Sequence, residues 1–134
     1  REELIDALAA QHAAAARVDN RALFLHDDLD PLTALALVVD GLGADVDTDA
    51  WTELTTDYER LAARLLPLDR AELVATAGNR CSTAAAAEVE AFFRPRADAD
   101  PRLALELGPA LERIARCAAT RERLQPAIAA ALPP

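Results

Sequence analysis

The dipeptide Asp100-Pro101 constrains this chain more than any other feature, because an acidic N-cap followed by proline at the first helical position starts a helix. On its N-terminal side, Ser82 is an N-cap residue type, and Ala85, Val89, Phe92 and Phe93 follow at helical spacing with Glu88, Glu90 and Arg94 opposite. Pro95 is expected to stop that helix. On its C-terminal side, Leu103, Leu107, Leu111, Ile114 and Cys117/Ala118 form an apolar stripe. Residues 79–117 therefore read as two helices about a short turn. Pro109 removes one backbone donor and crowds the Leu105 carbonyl, so a kink or a break after Gly108 is expected.

The rest of the chain repeats this grammar. Residues 2–17 place Ile5, Leu8, His12 and Ala15/Ala16 on one helical face, and 21–26 form a short apolar piece. Asp30-Pro31 opens a helix to Asp40 that is apolar nearly all round and is ended by Gly41-Leu42-Gly43. An acidic loop over 44–49 ends in an N-cap at Thr48 or Asp49. Helix 50–66 carries Trp51, Leu54, Tyr58, Leu61 and Leu65 in a single stripe and stops at Pro67. Asp69 with Glu72 resembles a capping box, and Gly78-Asn79 an αL terminator. A last helix follows Leu124-Gln125-Pro126 and stops at Pro133-Pro134. Six or seven helices and no strand make the fold all-α, one domain over 1–134, with short links forcing antiparallel hairpins that close as a bundle or stack as a solenoid.

At 134 residues the chain buries a core without a metal or disulfide staple. A net charge of −9 argues against nucleic acid, whose phosphates need a basic surface. No apolar run approaches a membrane span, so neither a membrane nor a signal segment is expected. The chain has no methionine and opens on residues that already read as helix, so it is expected to be a piece of a longer protein. Every basic residue is arginine and alanine is abundant, a codon signature that points to a bacterial source. Cys81 and Cys117 lack metal-ligand spacing. Two free, buried thiols are the plain expectation; a Cys81–Cys117 disulfide is the alternative, and needs their Cα atoms about 4.4–6.8 Å apart.

Cys81 just ahead of a helix, EVEAFF with a basic-proline stop, ALERIARC with Arg121 one turn on, and WTELTTDYERLAARLL upstream resemble the C-terminal helical domain of aminopeptidase N-like zinc metallopeptidases, the gluzincin aminopeptidases. The resemblance covers roughly 50–132, and residues 1–48 match no part of it. It implies a stacked, HEAT-like α-solenoid that caps a catalytic domain of the parent chain and limits access to peptide substrates. The family's His-Glu-x-x-His and Gly-x-Met-Glu-Asn motifs are absent. Zinc and the peptide-hydrolysing residues would thus belong to the parent's catalytic domain, and this chain alone is expected to hold no catalytic residue, cofactor or metal. The resemblance also implies that Arg80, Arg94, Arg96, Arg102, Arg113 and Arg116 face the chamber and hold a peptide's carboxylate. The simpler reading pairs them with Glu88, Glu90, Glu106 and Glu112 on solvated faces, Glu112 and Arg116 being four residues apart. A cytoplasmic location is expected.

Other clusters give less. His26-Asp27-Asp28 with Asp30 are consecutive ligand types that rarely converge on one ion, and Asp30 is a helix cap. Asp45, Asp47, Asp49 and Glu53 imitate the start of a calcium loop, but Ala50 and Thr56 stand where glycine and a bidentate carboxylate are needed. His12 has Ala16 one turn on and no ligating partner. Ser82, the only serine, has a capping role and no histidine nearby, so nucleophilic catalysis has no candidate. The alternative to the peptidase domain is a stand-alone helical protein–protein interaction module.

Overall fold

The computed structural model of the chain describes residues 30, 31 and 48–131. The helices read over 2–17, 21–26 and 32–40, the stop at 41–43, the loop over 44–47 and the closing proline pair lie outside the described residues, as do His12 and the His26 cluster. Asp30 is non-helical and Pro31 helical, the boundary that an Asp-Pro cap anticipates. Among the described residues the fold is all-α: α1 is Thr48–Arg64, α2 Pro67–Ala77, α3 Thr83–Ala99 and α4 Pro101–Ala131.

The stripe expected on α1 is the face it buries: Trp51, Leu54, Tyr58, Leu61 and Leu65 are all nearly inaccessible. Its partner is α3. Trp51, Tyr58, Phe92 and Phe93, four of the chain's five aromatic residues, meet with ring centroids 5.0–6.2 Å apart, mostly edge to face. That geometry suits the ring quadrupoles and adds about 0.5–1.5 kcal/mol per pair beyond burial. Burial pushes the Tyr58 phenol above its ordinary pKa, against the opposing pull of the Arg96 guanidinium.

Two caps behave as their residue types dictate. The Ser82 hydroxyl accepts the Ala85 N–H at 3.0 Å, and the Asp100 carboxylate accepts the Arg102 N–H at 3.0 Å, each satisfying a donor that the first helical turn leaves without a backbone acceptor. Only Asp100 separates α3 from α4. The chain folds back there, burying Val89, Phe93 and Ala97 of α3 in one core with Leu103, Leu107, Ala110 and Ile114 of α4.

Prolines were expected to cut helices, and here they do not. α3 runs through Pro95 to Ala99, and α4 runs unbroken through Pro109 and Pro126. An interior proline costs about 3 kcal/mol, and at 95 and 109 tertiary packing on either side offsets it. Phe93 and Ala97 flank Pro95 and are buried, Leu107 and Ala110 flank Pro109 and are buried, while both proline rings face solvent. Pro67 also differs from expectation. It opens α2 at the first helical position after an extended Leu66, and no side chain caps the helix, so the Asp69/Glu72 capping box does not form. Thr48 and Asp49 are already helical rather than caps.

Gly78 has φ −66°, in the right-handed region, so it is no αL terminator. Its role is close approach. A Cβ there would lie 3.0 Å from the Ala110 backbone and side chain and 2.8 Å from an Arg113 Nη, and α2 packs on α4 at this point.

The cysteines are not free. Cys81, just before α3, is disulfide-bonded to Cys117 of α4, with Cα atoms 5.2 Å apart. The two lie nearly equidistant along the chain from the Asp100 turn, so folding back brings them together; the cysteine count alone carries no such information.

Candidate functional site

The six arginines singled out from the sequence do not converge. Arg80 is buried, its guanidinium 4.7 Å above the Trp51 ring and 2.6 Å from a Glu88 carboxylate oxygen. A buried cation needs both kinds of partner, since removing it from water without them is costly. Arg96 is clamped between α1 and α3. Its guanidinium lies 3.9 Å over Phe92 and 4.9 Å over Tyr58, donates to Glu59 at 2.8 and 3.2 Å, and donates to the Phe92 carbonyl at 2.7 Å.

The other four lie at the surface. Arg94 pairs with Glu90 one turn earlier at 2.6 Å, both about half exposed, an arrangement that contributes little in water. Arg113 donates to the Ala75 carbonyl at 3.2 Å and so ties α4 to the end of α2. Arg102 and Arg116 are exposed in the first turn and the middle of α4. No ion pair joins Glu112 to Arg116 among the described residues, although their spacing permits one.

The best-placed cations are thus structural. Arg80 and Arg96 hold α1 and α3 together with their planar faces on aromatic rings and their forks on carboxylates. The sequence offered a sign of this: Arg80 lies just ahead of the aromatic helix and Arg96 in its last turn, and Trp51 and Tyr58 recur seven residues apart on the helix that covers it.

Ser82 is engaged as a helix cap. Asp49 and Glu53, the end of the calcium-loop imitation, lie in α1, and no group of three metal-ligating side chains occurs among the described residues. One Asp69 carboxylate oxygen, in the first turn of α2, is buried without a hydrogen-bond partner.

What the sequence reading missed is the far half of α4. Ala118 is its last buried residue, and every residue from Ala119 to Ala131 is exposed. The apolar side chains Leu124 and Ile128, one turn apart, are 45% and 54% exposed. Pro126 had suggested a separate terminal helix. Instead the helix continues for about 20 Å beyond its packed half, presenting a face that no described element covers. Comparison with protein-family models, curated proteins and solved structures finds no match.

Proposed function

We propose that this chain is a non-catalytic helical interaction module whose contact surface is the exposed half of α4. The observation that carries the reading is the end of packing at Ala118, followed by a helical segment with Leu124 and Ile128 outward. Soluble domains seldom leave an apolar helical face uncovered without a use for it. The engagement of Arg80, Arg96 and Ser82 in internal contacts supports a structural rather than a chemical role for the body.

The lid of a zinc aminopeptidase is a narrower version of this reading. In it the partner is the parent chain's catalytic domain, and the helices stack as HEAT-like hairpins over a peptide-filled chamber. It rests on the sequence resemblance alone. Two of the six arginines assigned there to peptide carboxylates, Arg80 and Arg96, are already engaged with Glu88 and Glu59, which leaves Arg102 and Arg116 as the better candidates. Incubating the chain with zinc and an aminoacyl chromogenic substrate is expected to give no turnover, and measurable turnover would rule out both versions.

Among the described residues no helix is long and apolar enough to cross a membrane. Disulfides persist in oxidising compartments and are transient in the cytosol. The Cys81–Cys117 bond therefore favours an oxidising compartment over the cytoplasm for this chain.

The general reading is tested by placing a photo-crosslinking amino acid at Ile128 in cells that make the protein. A discrete adduct of higher mass, absent when the probe replaces solvent-facing Ala84 of α3, is expected. No adduct from either position 124 or 128 would refute the contact surface.

A further inference from the structure

The disulfide between Cys81 and Cys117 is open to solvent at one end. Cys117 is exposed on α4 and Cys81 is half-buried, whereas Ile114 and Ala118, the neighbours of Cys117 that pack inward, are buried. Of the two cysteines, Cys117 is the one a dissolved thiolate meets first.

Exchange also needs a good leaving group, and the two cysteines differ in this as well. Cys81 stands one residue ahead of the Ser82 cap of α3, a helix with no acidic residue in its first turn. A thiolate released at Cys81 therefore sits at the positive end of a helix dipole, a setting that stabilises it. From α4, the Arg113 guanidinium reaches the turn that precedes Cys81, where it donates to the Ala75 carbonyl beside Gly78.

The other charges near the bond have the same sign. One helical turn to either side of Cys117 stand Arg113 and Arg121, with Arg116 adjacent in the chain, and all three are exposed. Of the carboxylates, Glu88 is engaged with Arg80, and Glu112 and Glu122 lie five residues from Cys117, off its face of the helix. The chain carries −9 overall, but exposed charges more than about 8 Å away are largely screened at physiological salt. The arginines at the bond thus favour the approach of an anion.

Nor is the bond needed to keep its two ends together. Gly78 seated on Ala110, Arg113 on the Ala75 carbonyl and the Ser82 cap fix the segment on both sides of Cys81, while Ile114 anchors α4 beside Cys117. Once opened, the sulfurs remain neighbours and can close again.

We infer that Cys81–Cys117 is a thiol–disulfide exchange site, opened reversibly in the folded chain by a low-molecular-weight thiol that carries carboxylates. The incoming thiolate attacks Cys117 Sγ, the bond to Cys81 breaks, and its electron pair leaves on Cys81 Sγ as a thiolate. A mixed disulfide remains on Cys117. Cys81 then attacks it and restores the original bond, or a second thiolate carries the small molecule away as its symmetric disulfide and leaves both cysteines reduced. The exchange modifies the chain stoichiometrically and is not a turnover, so it stands independently of the interaction-module reading.

The test treats the full chain with glutathione or, as a cationic thiol, cysteamine, followed by an acid quench, alkylation and trypsin. Cleavage after Arg80 and Arg116 separates the two cysteines into different peptides. Glutathione is expected on Cys117 and the alkyl group on Cys81. Per thiolate, glutathione should react at least about threefold faster than cysteamine, and the gap should narrow in Arg116→Gln/Arg121→Gln and at high salt. In Cys81→Ser, which lacks the internal thiol, oxidised glutathione should leave a stable adduct on Cys117. The exchange rate of the unmodified chain should stay flat in urea well below the unfolding midpoint. A rate that climbs with the slope of global unfolding would make the bond a sealed staple and overturn the inference. An adduct mainly on Cys81, or equal rates for the two thiols, would overturn it as well. Crosslinking at Ile128 bears on the module reading alone.

Discussion

Ile114 and Ile128 lie fourteen residues apart on one continuous helix, yet the first is fully buried and the second 54% exposed. Both sit among alanines, although Glu112, Arg113 and Arg116 surround the first and no charged residue lies within four positions of the second. What separates them is the neighbour: α2 and α3 cover the first half of α4, and no described element covers the second. Helical form therefore has two different supports along a single rod. In the first half, apolar burial against other helices fixes it; in the second, alanine-rich propensity and continuity with an already formed helix sustain it, and no packing offsets the cost of Pro126.

The sharpest way to break this comparison is a matched pair of substitutions. Ile114→Ala should destabilise the fold by about 2–5 kcal/mol, through lost transfer energy and the cavity left behind. Ile128→Ala should stay within about 0.5 kcal/mol, as surface changes do. Urea denaturation followed by circular dichroism measures both, and equal losses would erase the distinction between the halves.

Next in size is the disulfide. Closing a loop between residues 36 apart lowers the entropy of the unfolded chain enough to stabilise the native state by about 4 kcal/mol in the loop-closure model. Cys81→Ser/Cys117→Ser should lose up to that amount in thermal unfolding. The variant should still fold, because Phe93, Leu107 and Ile114 bury the α3–α4 contact independently of the bond.

The two helix-associated glycines give a contrast of size. Gly78→Ala forces a Cβ against Ala110 and Arg113 and should cost about 1–3 kcal/mol by overpacking. Gly108→Ala meets no packed neighbour on the outer face of α4, and its gain in helix propensity is offset by crowding of the new Cβ against the Pro109 ring, so the change should stay within about 0.5 kcal/mol. The thermal midpoint should fall in the first variant and stay nearly fixed in the second.

The smallest effect is pH-dependent and belongs to the body alone. Because the Tyr58 pKa is raised in the folded state, its contribution is fully present below the ordinary tyrosine pKa of about 10 and declines as pH rises through the higher folded value. Alkaline denaturation should therefore ease in Tyr58→Phe above about pH 10 and match the unmodified chain at pH 7. An unchanged alkaline limb would remove burial as the cause.

Much of the body was legible in the sequence. The α1 stripe from Trp51 to Leu65, the Ser82 and Asp100 caps and the apolar positions of α3 and α4 follow from spacing and cap chemistry, both local properties. The misses arise where distant contacts overrule local rules. Pro95 and Pro109 read as breaks because their penalty is local, while the burial of Phe93, Ala97, Leu107 and Ala110 that offsets it is tertiary. Gly78 read as a left-handed terminator, and only the approach of Ala110 reveals why glycine is needed. The arginines looked alike in sequence; aromatic faces brought in by α1 distinguish Arg80 and Arg96 from Arg102 and Arg116. The exposed far half of α4 was hidden by Pro126, which read as the start of a separate helix.

The most direct test of the central claim is truncation after Ala118, with the urea midpoint and slope compared to those of the full chain. If packing ends at Ala118, the shortened protein keeps its stability to within about 0.5 kcal/mol. A loss comparable to that of Ile114→Ala would mean that the far half of α4 is part of the folded body and no free surface.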